Sequence, residues 1–453
     1  MALSTQPYKG ARDFYPEDKR LQKYMFNTIR RTVEKFGYEE YDAPVLEPVE
    51  LYLAKTGEEI VNEQTYAFED RGGRKVALRP EMTPTVSRLV AAKRQELAYP
   101  LRLFNIGGRW RYERPQRGRY REFYQADVDI FGIEGVAAEH EIIQVADHML
   151  RAFGATREMY TIRLNSRKLM DYVLHDFLGC NEVQAQSIAK LIDRIHKIEH
   201  AEFLVQADAL FSPSQRDAGA VGKLLHVLNA KKPELLPDEV RSQVSFKEIL
   251  NVMQLLQASG VTNLRFDPTI VRGFDYYTGI VFEVFDTDTE NNRSMFGGGR
   301  YDGLVGLFGV EPVPTVGFAM GDVTLANFLE SHELIPELQP EVDVYAIFVG
   351  NVWDQAQKVV ELMRSEGLNV ACDLTDRKLD KQIKTADKKG IHYVVIIGQK
   401  EIDDGRFVLK HLGTGAEERH SAARIASIVK DYRAKHLPHS ISPTDDDLDI
   451  EEV

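Results

Sequence analysis

Residues 101–131, LRLFNIGGRWRYERPQRGRYREFYQADVDIF, alternate in polarity on either side of a polar stretch that holds Pro115 and Gly118. Period-two alternation interrupted by turn residues predicts a β-hairpin with a long tip. Successive strand side chains point to opposite faces. Asn105, Gly107, Arg109 and Arg111 therefore share one face of the first arm, and Phe104, Ile106, Trp110 and Tyr112 the other. In the second arm Gln125, Asp127 and Asp129 share a face, opposite Tyr124, Ala126, Val128 and Ile130. Six arginines (109, 111, 114, 117, 119 and 121) fall within thirteen residues. Anions relieve such crowding, and guanidinium forks match phosphate oxygens bidentately. The amide and the two carboxylates suit a small cationic or donor-rich ligand. The alternative is a solvated edge hairpin with ion pairs among Arg109, Arg111, Glu113 and Glu122.

A chain of 453 residues predicts two to four domains. Its net charge of −13 does not by itself suggest nucleic acid, but the final DDDLDIEEV supplies six of the acidic groups, and overall acidity leaves room for a local basic stripe. Cys180 and Cys372 are too few for a disulfide framework or a cysteine zinc site and fit a reducing cytoplasm. The N-terminal residues lack the apolar core of a signal peptide. The best apolar run, Val394–Ile397, is far short of a bilayer span, so no membrane partner is expected.

Taken in order, Leu21, Tyr24, Met25, Ile29, Val33 and Phe36 recur at helical spacing over 18–36, and Gly37 ends the run. A strand follows, ending at Pro44. Strands are expected over 64–70 and 74–79, then a helix from Pro84 with Thr83 as its cap. Glu81, just before that helix, is either a helix-start charge or a carboxylate presented to an amine. Another helix is expected over 138–153. Its His140-Glu141 is followed by Gln144 where a zinc-protease pattern needs a second histidine, so no metal is assigned. Residues 168–258 read as a helical insertion, where His196 and His200 read as solvated helix. Strands return at 263–266 and 279–285, flanking Val271-Arg272-Gly273-Phe274-Asp275-Tyr276-Tyr277. That stretch is either a ligand pocket or a tyrosine core with an ion-paired arginine. Gly297-Gly298-Gly299-Arg300-Tyr301-Asp302 lets a backbone approach a ligand closely but fits neither a Walker loop nor a dinucleotide fingerprint. TVGFAMG, 315–321, reads as a buried strand with a helix from Asp322.

Two prolines within 334–341 mark a linker. Beyond it strands (343–349, 369–373, 393–398, 406–410) alternate with helices (354–366, 377–389, 421–433), which predicts a small α/β domain. Arg377, Lys381, Lys384 and Lys388 form a basic stripe at 4-3-4 spacing, either a solvated face or a nucleic-acid face. The stretch from 436 lacks apolar periodicity and is expected to be disordered.

These residues resemble a known family. RPEMT, RYERPQRGRYREFYQADVDIFG, VRGFDYYTGIVFE and GGGRYDGL are similar to motifs of the class II aminoacyl-tRNA synthetases, most closely those of the histidyl-tRNA synthetase family. The last two are its histidine-specific motifs. The resemblance runs from about Lys9 to about Tyr432 in the family's order, and the class I signatures HIGH and KMSKS are absent. It implies an α+β catalytic domain on an antiparallel sheet flanked by helices, in two parts (1–167 and 259–333). A helical insertion (168–258), a C-terminal α/β anticodon-binding domain (342–435) and the acidic tail (436–453) complete it. It implies a homodimeric ligase that takes ATP with Mg2+, L-histidine and the histidine tRNA as substrates, with no structural metal. The rival is a synthetase-like regulatory or sensor protein, such as a regulatory subunit of ATP phosphoribosyltransferase.

Carried over position by position, the resemblance gives Arg111 the α-phosphate of ATP and Arg119 the outer phosphates, with Gly321 also in the ATP site. Glu81, Thr83 and Gln125 would hold the histidine α-amino group. Asp129 would accept from the imidazole, and Tyr276 and Tyr277 would close that pocket. Arg272 would stabilise the α-phosphate as the histidine carboxylate attacks, so Arg272 and Arg111 are the catalytic pair. Arg114 and Gln116 would meet the tRNA acceptor end. In one place the chain departs from the family. GFAMGDVTL puts Val323 and Thr324 where the third motif usually ends in Glu-Arg.

Overall fold

The computed structural model describes residues 3–53, 64–113, 119–270, 276–291, 293–375 and 377–436. The chain divides into two compact units. One holds the residues up to Asp13 with Met25–Leu334, and the other holds Phe14–Tyr24 with the chain from Ile335 on. Phe14–Tyr24, expected within the N-terminal domain, belongs to the second unit, where Arg20 and Lys23 both pair with Glu341 at 3.3 and 3.0 Å.

The strands of the first unit are β1 (Glu39–Glu40), β2 (Leu46–Pro48), β3 (Ala67–Glu69), β4 (Lys75–Leu78), β5 (Leu101–Trp110), β6 (Glu122–Phe131), β7 (Tyr160–Ser166), β8 (Leu264–Phe266), β9 (Ile280–Asp286), β10 (Ser294–Arg300) and β11 (Thr315–Gly321). Among the described residues, eight form one sheet in the order β1-β5-β6-β11-β10-β9-β7-β8. The inner pairs are antiparallel, as expected, but β1 with β5 and β7 with β8 are parallel, so the sheet is mixed at both edges. Parallel neighbours need a long crossover. The helical insertion, from Arg167–Tyr172 to Val244–Ala258, is the crossover from β7 to β8.

The expected hairpin is β5 and β6, paired from Leu101↔Phe131 to Trp110↔Glu122. It is not a solvated edge. β6 also pairs with β11 from Thr315↔Phe131 to Gly321↔Gln125, which places the hairpin inside the sheet. Its apolar face, with Phe104, Ala126, Val128 and Ile130 buried, lies on the side covered by the helix Ala137–Ala152, whose Ile142, Ile143 and Met149 are buried in turn. Each of these side chains larger than alanine contributes about 1.5–3 kcal/mol when removed from water. That burial fixes the register, because a one-residue slip would exchange the two faces. The opposite, polar face is thereby committed to one set of residues.

The second unit carries β12 (Val344–Val349), β13 (Val370–Cys372), β14 (Tyr393–Gly398), β15 (Phe407–His411) and β16 (Glu417–His420) in the order β13-β12-β14-β15-β16. β12 is parallel to both β13 and β14. Val344, Ala346, Val395 and Ile397 cluster with Val360, Met363 and Ile425, while Tyr345, Ile347 and Val394 cluster with Ile383 and Ala386. Helices on both faces are what a parallel core requires. β16 and the helix Gln399–Asp404 were not foreseen, since both are short and mostly polar.

Candidate active site

The polar face of β6 is the floor of the site. Register sets Gln125 opposite Gly107 and Gly321, Asp127 opposite Asn105 and Ala319, and Asp129 opposite Leu103 and Gly317. Arg109 crosses this floor, donating to Asp127 at 2.7 Å and to Asn105 Oδ1 at 2.8 Å. Its side chain is 0% exposed and that of Asp127 4%. Arg109 is thus a floor beam that neutralises Asp127, not a phosphate ligand.

Glycine makes the room. A Cβ on Gly317 would overlap Asp129 Oδ1, and one on Gly298 would overlap the Gly317 carbonyl and Phe318. The glycine run is therefore part of β10, and its lack of side chains lets β10 and β11 pass beneath a cavity.

That cavity encloses about 130 Å³ and is lined by Glu81, Thr83, Arg111, Gln125, Asp127, Asp129, Tyr276, Tyr277 and Tyr301 above a floor that includes Gly297 and Gly317. Drug-sized pockets run to about 300–1,000 Å³, so this one suits a ligand of amino-acid size. Tyr276 donates to Glu81 Oε2 at 3.1 Å and to Thr83 at 3.4 Å. Thr83 is not the helix cap. The helix Thr83–Ala92 is preceded by Met82 and has no side-chain cap, because the Thr83 hydroxyl faces Tyr276 instead. Gln125 Oε1 is buried without a hydrogen-bond partner among the described residues. An unpaired buried acceptor costs about 1–3 kcal/mol, which a donor-bearing ligand would recover.

At the other side of the cavity Tyr301 donates to Asp129 Oδ1 at 2.5 Å. Burial pushes the Asp129 carboxyl up to about 8, with the Tyr301 hydrogen bond and Arg109 opposing and Asp127 adding to the rise. Tyr276, Tyr277 and Tyr301 stack edge to face, with centroids 5.0–6.4 Å apart. Tyr301 was not assigned a role from sequence, although period two from Gly297 and Gly299 places it on the cavity face. The neighbouring Arg300 serves structure. Its guanidinium grips Glu139 through two 2.7 Å bonds and also meets the carbonyls of Ile133 and Gly135.

The remaining arginines divide by use. Arg111 lines the cavity, donates to the Pro80 carbonyl at 3.0 Å and lies over Phe123. Arg119, 52% exposed, pairs with Glu113 at 3.2 Å and does not line the cavity. Arg121 is buried against Tyr112 and the backbone of Lys9 and Glu113, so it ties the N-terminal segment to the hairpin and is not spare for phosphate. Gly321 pairs with Gln125 at the end of β11, outside the cavity lining. The Thr324 hydroxyl donates to the carbonyls of Met295 at 2.9 Å and Gly321 at 3.1 Å, so a short side chain here joins the helix Asp322–Ser331 to β10. Arg114, Gln116 and Arg272, and the acidic tail from 437, lie outside the described residues.

In the second unit Lys381, Lys384 and Lys388 are exposed on the helix Leu379–Lys388. Arg377 precedes that helix and is held by Asp373 at 3.1 Å and by Thr375.

Known proteins share this architecture and sequence. Residues 10–324 match the family described as histidyl-tRNA synthetase, and residues 343–432 match the anticodon binding domain. A histidine–tRNA ligase of Leptospira biflexa is 39% identical over 435 residues, 96% of this chain and 99% of that one. One from Haloarcula marismortui is 39% identical over 414 residues, covering 90% and 94%. The crystal structure of histidyl-tRNA synthetase from Nostoc sp. PCC 7120 superimposes with a TM-score of 0.79 at 26% identity, over 95% of this chain and 100% of that one. With a family model matched over residues 10–324 and relatives 39% identical over 90% or more of the chain, the chain belongs to the histidyl-tRNA synthetase family.

Proposed function

We propose that the protein attaches histidine to its tRNA in two steps. A histidine carboxylate oxygen attacks the α-phosphorus of ATP, forming histidyl-adenylate and releasing pyrophosphate. The terminal ribose hydroxyl of the tRNA then attacks the acyl carbon, and AMP leaves. No enzyme nucleophile is needed, because positioning and charge stabilisation supply the catalysis. The observation that carries this reading is the cavity's distribution of acceptors. Glu81, Thr83 and Gln125 would hold the α-amino group, Asp129 would meet the imidazole beside Tyr277, and Tyr276 would brace Glu81. Arg111 would take the α-phosphate, and Arg119 would swing from Glu113 to the outer phosphates near Gly321. By the resemblance, Arg272 stabilises charge on the α-phosphate, and Arg114 and Gln116 meet the acceptor end.

Magnesium binds through one or two carboxylates together with substrate phosphates. Among the described residues no group of three or more His, Cys, Asp or Glu could hold a metal by itself. An ion arriving with ATP would therefore take most of its ligands from the triphosphate.

The stripe Arg377, Lys381, Lys384 and Lys388 would meet the anticodon arm. Exposed Leu46 and Phe68 on the small sheet β2-β4-β3 offer an apolar patch for a homodimer contact, checked by light scattering. Among the described residues no helix is long and apolar enough to cross a membrane, and both cysteines are free, which suits a reducing cytoplasm. Amino-acid-dependent ATP–pyrophosphate exchange across all twenty amino acids tests the assignment, and exchange driven best by threonine, proline or glycine would sink it. The alternative reading, a histidine sensor without catalysis, is supported less by relatives that are histidine–tRNA ligases over nearly their whole length. It predicts histidine binding with no adenylate, restored by Thr324→Arg.

A further inference from the structure

We propose that Arg79 is a positioning residue that fixes the separation between the amine end and the phosphate end of the cavity. The inference rests on the readings of Glu81 as an amine partner and Arg111 as the α-phosphate partner.

Residues 79–81 serve both ends at once. The Glu81 side chain lines the cavity, and the Pro80 carbonyl accepts from Arg111 Nε at 3.0 Å. A shift of this segment would therefore move Glu81 and let go of Arg111 together. Its backbone is held by Arg79, whose N–H donates to the Val45 carbonyl at 2.8 Å and whose carbonyl accepts from the Trp110 N–H at 3.0 Å. The Arg79 side chain does the rest. Nε donates to the Gly108 carbonyl at 3.0 Å, and Nη1 donates to the Ala43 carbonyl at 2.8 Å and to Asp42 Oδ1 at 3.0 Å. A planar fork reaches β5 on one side and residues 42 and 43 on the other, which a single ammonium cannot do. Arg79 is 2% exposed, so water does not compete for these bonds.

Gly107 makes room for that guanidinium. A Cβ there would lie 2.6 Å from Arg79 Nη2 and 3.1 Å from Arg109 Nη1. Each of these two arginines has its own carboxylate, Asp42 for Arg79 and Asp127 for Arg109. Asn105 joins the pairs, donating to Asp42 at 3.2 Å and accepting from Arg109 at 2.8 Å. The segment that carries Glu81 is thereby tied to the floor that carries Asp127.

The consequence is kinetic. Each substrate bound alone needs only its own end of the cavity, but the attack needs both ends at the right spacing. Reacting atoms must lie about 3–3.5 Å apart, and a misplacement of about 1 Å costs about 10²-fold. Arg79 should therefore act on kcat and not on either KM.

The test is histidine-dependent pyrophosphate exchange, with active sites counted from the burst of histidyl-adenylate. Arg79→Lys keeps the charge and the apolar stem and loses the fork. Its kcat per active site should fall about 10²-fold. The histidine and ATP KM values should each stay within about threefold, the pattern of an interaction expressed in the transition state. Asp42→Asn is the gentler variant, since the Asp42 side chain is 75% exposed. It should lower kcat about tenfold with both KM values kept, and most of that fall should vanish in the Arg79→Lys background, because residues in contact are not additive. A purely structural role would reduce the number of active sites and leave kcat per site at the wild-type value. That result, a raised KM at unchanged kcat, or full additivity of the two variants would overturn the inference. Absence of histidine-dependent exchange in the wild-type chain would instead remove the parent reading, and this one with it.

Discussion

Arg109 and Asp127 face each other across the hairpin, 2.7 Å apart and almost sealed from water. Two residues that alternation places on the ligand-facing side thus spend their charge on each other. Breaking such a pair leaves an uncompensated buried charge, at a cost of about 3–5 kcal/mol. Asp127→Ala should lower unfolding stability by that amount in urea denaturation, with Asp129→Ala costing less. Equal stability of Asp127→Ala and wild type would show that the pair is solvated.

Asp129 gives a pH dependence of opposite sign to that of an ordinary paired carboxylate. Its folded value, about 8, lies above the unfolded value of about 3.9. Between the two the folded chain binds more protons, so its contribution to stability is full below the unfolded value and is lost as pH rises through the folded one. Denaturant midpoints should fall from pH 5 to pH 9, and Asp129→Asn should flatten that slope. A slope unaltered in the variant would remove Asp129 as its source.

Removing Asp129 altogether bears on the ligand. Asp129→Ala should weaken histidine use by roughly 1.5–3 kcal/mol and leave the ATP KM close to wild type. An unaltered histidine KM would refute the assignment.

Arg272 is assigned by resemblance alone. If it stabilises charge on the α-phosphate, Arg272→Ala should lower kcat by about 10²–10³. Arg272→Lys should not restore it, because an ammonium lacks the planar fork. Full activity in either variant would take Arg272 out of the mechanism.

The basic stripe and Thr324 each make a separable claim. Neutralising Lys381, Lys384 and Lys388 should flatten the log–log salt dependence of tRNA charging by about two to three units and spare pyrophosphate exchange, which uses no tRNA. Parallel loss in both assays would make the stripe structural. Thr324→Arg loses the hydrogen bonds to Met295 and Gly321. It should therefore cost about 1 kcal/mol of stability without a large gain in ATP affinity, and a tenfold fall in the ATP KM would show that the phosphate site reaches position 324.

The sequence shows the hairpin, its two faces and the alternation of the second unit, because these follow from local periodicity. It also determined, through motif resemblance, the family. It did not determine that β5 and β6 lie inside a mixed sheet, since the parallel partners β1 and β8 are short strands brought in by distant crossovers. Nor could spacing separate the arginines. Arg109, Arg111 and Arg119 look alike in sequence, and only the tertiary structure put the first in the floor, the second at the cavity and the third at half exposure. Thr83 read as a helix cap until Tyr276, far away in the chain, claimed its hydroxyl. Tyr301 had no assigned role until β10 and β11 brought it to Asp129, through glycines whose missing side chains matter only once strands are stacked. Local pattern fixes which face a side chain is on. What that side chain touches is decided by tertiary packing, with cavity partners as much as 195 positions away, and there the charge, burial and proton affinity of the site are set.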